Sequence, residues 1–207
     1  MIHYSAKNLT TQQNYKFLTG SIIPRPIAWI TTKDPDTQVV NAAPFSYFNV
    51  VAKDLPLISL SINRTSNAQM KDSARNLVNH KEAVVHIVND QVLLEMNQTA
   101  ASLPASVGEL EDSALTLIPS HSINVPAINE APIRMETKLH QYIPIKGLNE
   151  AIVSDLFILE VMDYYFSPDV FDPQKEYILP LALSPIARLA GESYSHIGTI
   201  LDIKRPK

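Results

Sequence analysis

The sequence predicts a mainly β chain, folded as an antiparallel barrel or sandwich with short helices at its ends. Seven or eight segments have strand character, and only three short ones have helical character. No strand–helix–strand alternation runs along the chain, which argues against a doubly wound parallel sheet. No repeat, low-complexity tract or linker interrupts the 207 residues, so residues 1–207 are expected to form one domain, long enough to bury a full core.

Residues 10–18 read as a short helix that Thr10 or Thr11 can cap and Gly20 can end. Pro24 and Pro26 then force extended backbone. Residues 27–32 and 39–49 form a hairpin around the turn Asp34-Pro35-Asp36. Residues 57–62 alternate, with Leu57, Ser59 and Ser61 on one face and Ile58, Leu60 and Ile62 on the other. A helix over residues 68–79 follows, capped by Asn67, with Met70, Ala74, Leu77 and Val78 as its apolar stripe. Residues 82–88 are a strand, and residues 91–99 a short helix capped by Asp90. Residues 102–131 contain Pro104, Pro119 and Pro126 and little period, and read as a long surface excursion with one short strand near residues 115–118. Residues 133–143 and 151–165 are long strands, the second apolar on both faces and therefore covered on both sides. Residues 166–184 read as loop and short helix, and residues 185–189 as a last strand.

Composition narrows the function. A net charge of −4 without a basic run argues against nucleic acid as a partner. Cysteine is absent, which excludes disulfides, thiolate catalysis and sulfur-based zinc sites. The first residues lack the layout of a signal peptide, and no apolar run approaches the ~20 residues that span a bilayer. A cytoplasmic protein without a membrane partner is the expectation. Only 5 glycines are present, and no phosphate-binding glycine loop or nucleophile elbow occurs. The 6 histidines form no metal-binding pair and read as surface or singly bonded residues, so no metal site is expected. Glu109 and Glu111 sit in a polar loop and read as solvated.

Two segments have chemical character. In Asn41-Ala42-Ala43-Pro44-Phe45-Ser46-Tyr47-Phe48-Asn49, a proline interrupts a strand among aromatics and amides. Pro44 deletes a ladder donor, which suits either a bent backbone that offers its polar groups to a flat ligand or an edge strand with core aromatics. Residues 61–76 place Arg64, Lys71 and Arg75 with Thr65, Ser66, Asn67 and Ser73 where a helix begins. That combination suits either a phosphate or a capped helix with a solvated face. Together the two segments outline a planar, partly polar ring beside a phosphate.

Four ordered blocks carry a family resemblance: residues 20–30, residues 41–49, Lys71-Asp72-Ser73-Ala74-Arg75-Asn76, and Arg188-Leu189-Ala190-Gly191-Glu192-Ser193-Tyr194. Through them the sequence resembles the flavin reductase-like proteins with the FMN-binding split-barrel fold, flavoredoxin-like members included. It departs from them at residues 34–37, which lack a glycine, and at Ala190, where a glycine pair is common.

The resemblance implies a six-stranded antiparallel Greek-key barrel and a homodimer that holds FMN near its interface. It implies that the flavin ring lies along Ala43, Pro44, Phe45, Ser46 and Tyr47, with Ser59 and Ser61 supporting its other edge. Ser66, Lys71, Ser73 and Arg64 become the phosphate candidates. Arg188 and Tyr194 become candidates for an incoming nicotinamide or acceptor, Arg25 for an interface pair, and Trp29 for the core. The implied activity is hydride transfer from NAD(P)H to bound FMN and onward to a small molecule or redox partner protein, with no catalytic side chain. The alternative is a flavoredoxin-like carrier that shuttles electrons without enzymatic turnover.

Overall fold

The computed structural model describes residues 1–206 except residues 102, 105 and 112. Its main body is a seven-stranded sheet built from β1 (Ala28–Lys33), β2 (Val40–Phe45), β3 (Phe48–Ala52), β4 (Leu57–Asn63), β5 (Glu82–Ile87), β6 (Ile133–Lys146) and β7 (Ile152–Phe166). Every pair is antiparallel, in the order β2-β1-β5-β6-β7-β4-β3. Helices α1 (Thr11–Ser21), α2 (Asp72–His80), α3 (Leu93–Gln98) and α4 (Pro180–Leu183) are short and peripheral. No helix among the described residues is long and apolar enough to cross a membrane.

The two edge strands, β2 and β3, are consecutive in the chain and separated only by Ser46 and Tyr47. The sheet therefore curls until its edges nearly meet, and the ladder stays open between them. The Ser61 N–H donates to the Tyr47 carbonyl at 2.9 Å, which carries the β3–β4 ladder one residue past Phe48 and into the bend without bridging the opening. The expected single strand over residues 39–49 is broken at this point, which turns six strands into seven.

The inner face of the sheet holds the main core. Ile30, Leu60, Val85, Phe157 and Leu159 pack there, closed by Ala74 and Leu77 of α2. The alternation of residues 57–62 is realised: Ile58, Leu60 and Ile62 are buried, while Leu57, Ser59 and Ser61 are half-buried. On β7, Phe157, Leu159 and Val161 face the core, whereas Leu156 and Ile158 are half-buried on the outer face. Val153 is 48% exposed, because a register irregularity between Ile152 and Ser154 turns it out of the expected alternation.

A second core lies behind β1. Trp29 is fully buried with Met96, Ile128 and Ile186, and its Nε1–H donates to Thr99 Oγ1 at 2.9 Å. His86 is also fully buried, and its Nδ1 and Nε2 pair with the Trp29 carbonyl at 2.8 Å and the Ile128 N–H at 2.9 Å. This corrects the expectation of a surface or singly bonded ring. The Ile128 N–H must donate, so Nε2 carries the lone pair and Nδ1 carries the proton. Burial, as the first cause, lowers the His86 pKa to about 4.

Other boundaries also differ. α1 starts at the expected cap, Thr10, which forms a reciprocal capping box with Gln13, but it runs through Gly20 to Ser21. Asn89, not Asp90, caps the turn before α3, through its side chain to the Gln91 N–H. Residues 102–131 are not simply a surface excursion: Leu110, Ile123, Val125, Ala127 and Ile128 are buried, and Leu117–Ile118 pairs with Ala127–Ile128. The last expected strand shrinks to Ala187–Arg188, between Arg25–Pro26 and Tyr194–Ser195.

Candidate functional site

The site is built on the free edge of β2. The Ala42 N–H points away from β1 and donates to Glu109 Oε2 at 2.9 Å. Two residues on, the same outward position is Pro44, so its missing N–H removes no ladder bond. Pro44 therefore lies in an edge strand, and the strand ends immediately afterwards at Phe45. At the bend, neither the Ser46 nor the Tyr47 N–H has a hydrogen-bond partner among the described residues.

Three cavities meet on the Pro44–Phe45 platform. The one facing α2 has a volume of about 440 Å³ and reaches Thr65, Gln69, Lys71, Ser73, Arg75 and Ala100. The one facing α1 has about 350 Å³ and reaches Tyr15, Arg25, Ser46, Tyr47, Ser61 and Arg188. A smaller one of about 150 Å³ reaches Ile27, Met96, Arg188 and Tyr194.

α2 starts later than the expected residue 68, because residues 65–69 form their own closed turn. The Thr65 N–H donates to the Gln69 carbonyl at 3.0 Å, the Gln69 N–H donates to Thr65 Oγ1 at 3.1 Å, and Ala68 takes a φ of +58°. The cap falls to Lys71, whose side chain accepts nothing, so no side chain among the described residues covers the first N–H groups of α2. Lys71 Nζ lies 6.0 Å from the centroid of the Phe45 ring. Asp72 and Arg75 form an ion pair on the cavity wall.

Most of the predicted residues converge. Ala43, Pro44, Phe45, Lys71 and Ser73 border the α2 cavity, and Ser46, Tyr47 and Ser61 border the α1 cavity. Arg188 and Tyr194 border the smallest one, with the Arg188 guanidinium 4.5 Å from the Tyr194 ring and the Tyr194 hydroxyl donating to Asn97 at 2.8 Å. Three residues lie apart. Ser59 faces a separate groove beside Phe48. Ser66 is exposed in the 65–69 turn and lines none of these three cavities. Arg64 is drawn away by the fully buried Asp155, which it meets at 2.9 Å and which also accepts the Tyr142 hydroxyl at 2.8 Å.

Two residues that the sequence reading placed elsewhere border the site. Arg25 is only 7% exposed; its guanidinium donates to the carbonyls of Thr19, Ile22 and Leu189 at 2.6–2.8 Å, and its Nε to Ser46 Oγ at 3.4 Å. It ties α1 and the Leu189 segment to the bend. Glu109 is half-buried rather than solvated; burial is the first cause that raises its carboxyl pKa, against the Ala42 hydrogen bond. Burial likewise raises the Tyr47 phenol above its ordinary value, which keeps it protonated at neutral pH.

The fold is an antiparallel split barrel, and the cleft opens beside the free edge of its β2 strand. The chain belongs to the flavin reductase-like domain family, whose model matches residues 19–184. It is similar to nitrilotriacetate monooxygenase component B from Bacillus cereus, at 40% identity over 98% of each chain with a TM-score of 0.93. It is also similar to the 2-nitrobenzoate 2-nitroreductase NbaA of Pseudomonas fluorescens, at 28% identity over 99% of this chain and 96% of that one, with a TM-score of 0.87. A protein with a split barrel domain from Shewanella frigidimarina NCIMB 400 shares the fold at 16% identity over the whole of both chains, with a TM-score of 0.81.

Family membership makes a flavin the group against which the cleft is tested, and the residues fit one. The platform is made by Pro44 and the Phe45 ring. The unpaired N–H groups of Ser46 and Tyr47 lie at its end, where a ring's polar edge needs donors. The uncapped start of α2, with Lys71 and Ser73, lies across Phe45 where a phosphate needs them.

Proposed function

We propose that this protein is an FMN-dependent oxidoreductase whose bound flavin accepts hydride from NAD(P)H and passes electrons to an acceptor. The observation that carries the reading is the pairing of two unpartnered backbone donors at the Ser46–Tyr47 bend with the uncapped, lysine-flanked start of α2, on either side of Phe45. In this reading Ala43, Pro44 and Phe45 form the floor under the ring, and the Ser46 and Tyr47 N–H groups orient its polar edge. Lys71, Ser73 and the first amides of α2 hold the phosphate, which makes FMN the preferred flavin. No side chain is assigned an acid–base role, since alignment of two rings suffices for hydride transfer.

One similar protein is component B of a nitrilotriacetate monooxygenase and another a 2-nitrobenzoate 2-nitroreductase; the acceptor here is accordingly taken to be a partner protein or an aromatic nitro compound that reaches the flavin through the cavities beside the platform. We further propose a homodimer assembled through the outer face of β7, where Leu156 and Ile158 are half-buried and Val153 and Met162 are exposed.

Anaerobic mixing of the FMN-loaded protein with NADH or NADPH tests the reading, with flavin bleaching followed near ~450 nm. Bleaching by either nucleotide is expected. A flavin that dithionite reduces but neither nucleotide does would refute the oxidoreductase reading and favour an electron carrier.

A further inference from the structure

The two larger cavities on either side of Phe45 differ in charge. The one facing α2 sets Lys71 and Arg75 against Asp72 and Glu109. The one facing α1 carries Arg25, Lys71 and Arg188 and, among the described residues, no carboxylate. None of these three cations has an ion-pair partner among the described residues.

Arg25 makes the imbalance acute. A guanidinium has five N–H donors, and four of those on Arg25 go to neutral acceptors: three carbonyls and the Ser46 hydroxyl. These bonds hold the group in place without neutralising it. A nearly buried cation with no counter-ion creates a positive field that an arriving anion relieves. Arg188 adds to that field from the opposite wall. Its guanidinium lies over the Tyr194 ring and donates to the Gly191 carbonyl, which uses part of its fork. Lys71 is shared with the phosphate end of the cleft, which leaves the two arginines for a second anion.

Between the charges, three aromatic rings share the wall with the polar side chains of Thr19, Ser46, Ser61 and Asn63. Tyr15, Phe45 and Tyr47 border the same space, and its volume of about 350 Å³ is at the small end for an organic ligand. Arginine forks pair with planar carboxylates, and aromatic rings stack on flat ones.

We infer that the cavity between α1 and the Ser46–Tyr47 bend binds an aromatic carboxylate, its ring among Tyr15, Phe45 and Tyr47 and its carboxylate drawn to Arg188 and Arg25. This deepens the flavin reading, on which it rests for the ligand's relevance, because it places an anionic aromatic substrate beside the polar edge of the ring.

Benzoate is the probe, benzamide its neutral counterpart and inorganic phosphate the competing anion, each titrated by calorimetry into flavin-free and FMN-loaded protein. Benzoate is expected to bind roughly tenfold to a hundredfold more tightly than benzamide, the range of one charge-assisted pair. Phosphate is expected not to displace it. The benzoate-to-benzamide ratio should fall towards one in Arg188→Gln and recover in part in Arg188→Lys. Failure of benzoate to bind, equal binding of the two probes, displacement by phosphate, or an unchanged ratio in Arg188→Gln would each overturn the inference. FMN loading, measured separately by the absorbance of the bound flavin, keeps the two readings apart. Protein that takes up no FMN yet prefers benzoate refutes the flavin reading alone. Protein that loads FMN and shows no preference refutes this one alone.

Discussion

His86 ties the pH dependence of stability to one buried ring. Its folded pKa is about 4, against an ordinary value of 6.5. The unfolded chain therefore binds this proton more readily than the folded one, and stability falls as pH drops below 6.5, with the loss complete below about 4. Between pH 7.5 and 4.5 the single-site linkage amounts to roughly 2–3 kcal/mol. The cause is geometric: both ring nitrogens are committed, and a second ring proton would face the Ile128 N–H. Urea unfolding at the two pH values, for the parent and for His86→Gln, measures this. The amide offers a donor and an acceptor but does not titrate. With an m-value of about 2 kcal/mol/M, the parent midpoint should fall by roughly 1 M more than that of the variant. Glu109 has a raised pKa, so its own contribution runs in the opposite direction, and comparing parent with variant cancels it. Equal pH slopes in the two proteins would refute the argument, and would show that other groups set the acid sensitivity.

Further outcomes follow from the site. Lys71→Ala should weaken FMN about tenfold to a hundredfold while barely changing riboflavin affinity, measured by fluorescence titration of both ligands; equal losses would remove Lys71 from the phosphate site. Ser46→Pro deletes one of the two free donors at the bend, and should empty the cleft of flavin or sharply slow bleaching by NAD(P)H. Thr99→Val leaves the buried Trp29 Nε1–H without its acceptor, at a cost of roughly 1–3 kcal/mol in an unfolding titration. Val153→Asp should lower the native mass from dimer to monomer with the fold intact, whereas Phe157→Asp, in the core, should prevent folding; a parent that is monomeric with flavin fully bound refutes the dimer.

The parts that could be read from the sequence were those in which local signal and tertiary environment agree. The alternation of residues 57–62 maps directly onto inner and outer faces, and Thr10 caps where its side chain predicts. Most of the site converged because it lies in two short segments that each have local character. Three things escaped. Arg64 looked like a phosphate ligand because its partner, Asp155, lies 91 residues away. The start of α2 moved because Thr65 and Gln69 satisfy each other before the helix begins. The buried residues of 102–131 showed no period because they reach two clusters from a largely irregular path, Leu110 and Ile128 in the second core and Ile123, Val125 and Ala127 against Val84.

The interrupted edge of the sheet also bears on how the protein folds. β2 is held through β1 to one half of the ladder, and β3 through β4 and β7 to the other. β4 meets β7 across a wide gap in the chain, with Ser154 opposite Asn63, and such a distant pairing is slow to form. The Ser46–Tyr47 bend can take its final shape only when both halves are in place. Flavin uptake should therefore appear late in refolding, after intrinsic tryptophan fluorescence has already recovered. Flavin binding would then report that the last long-range pairing has closed, so uptake of the cofactor would mark the completed fold.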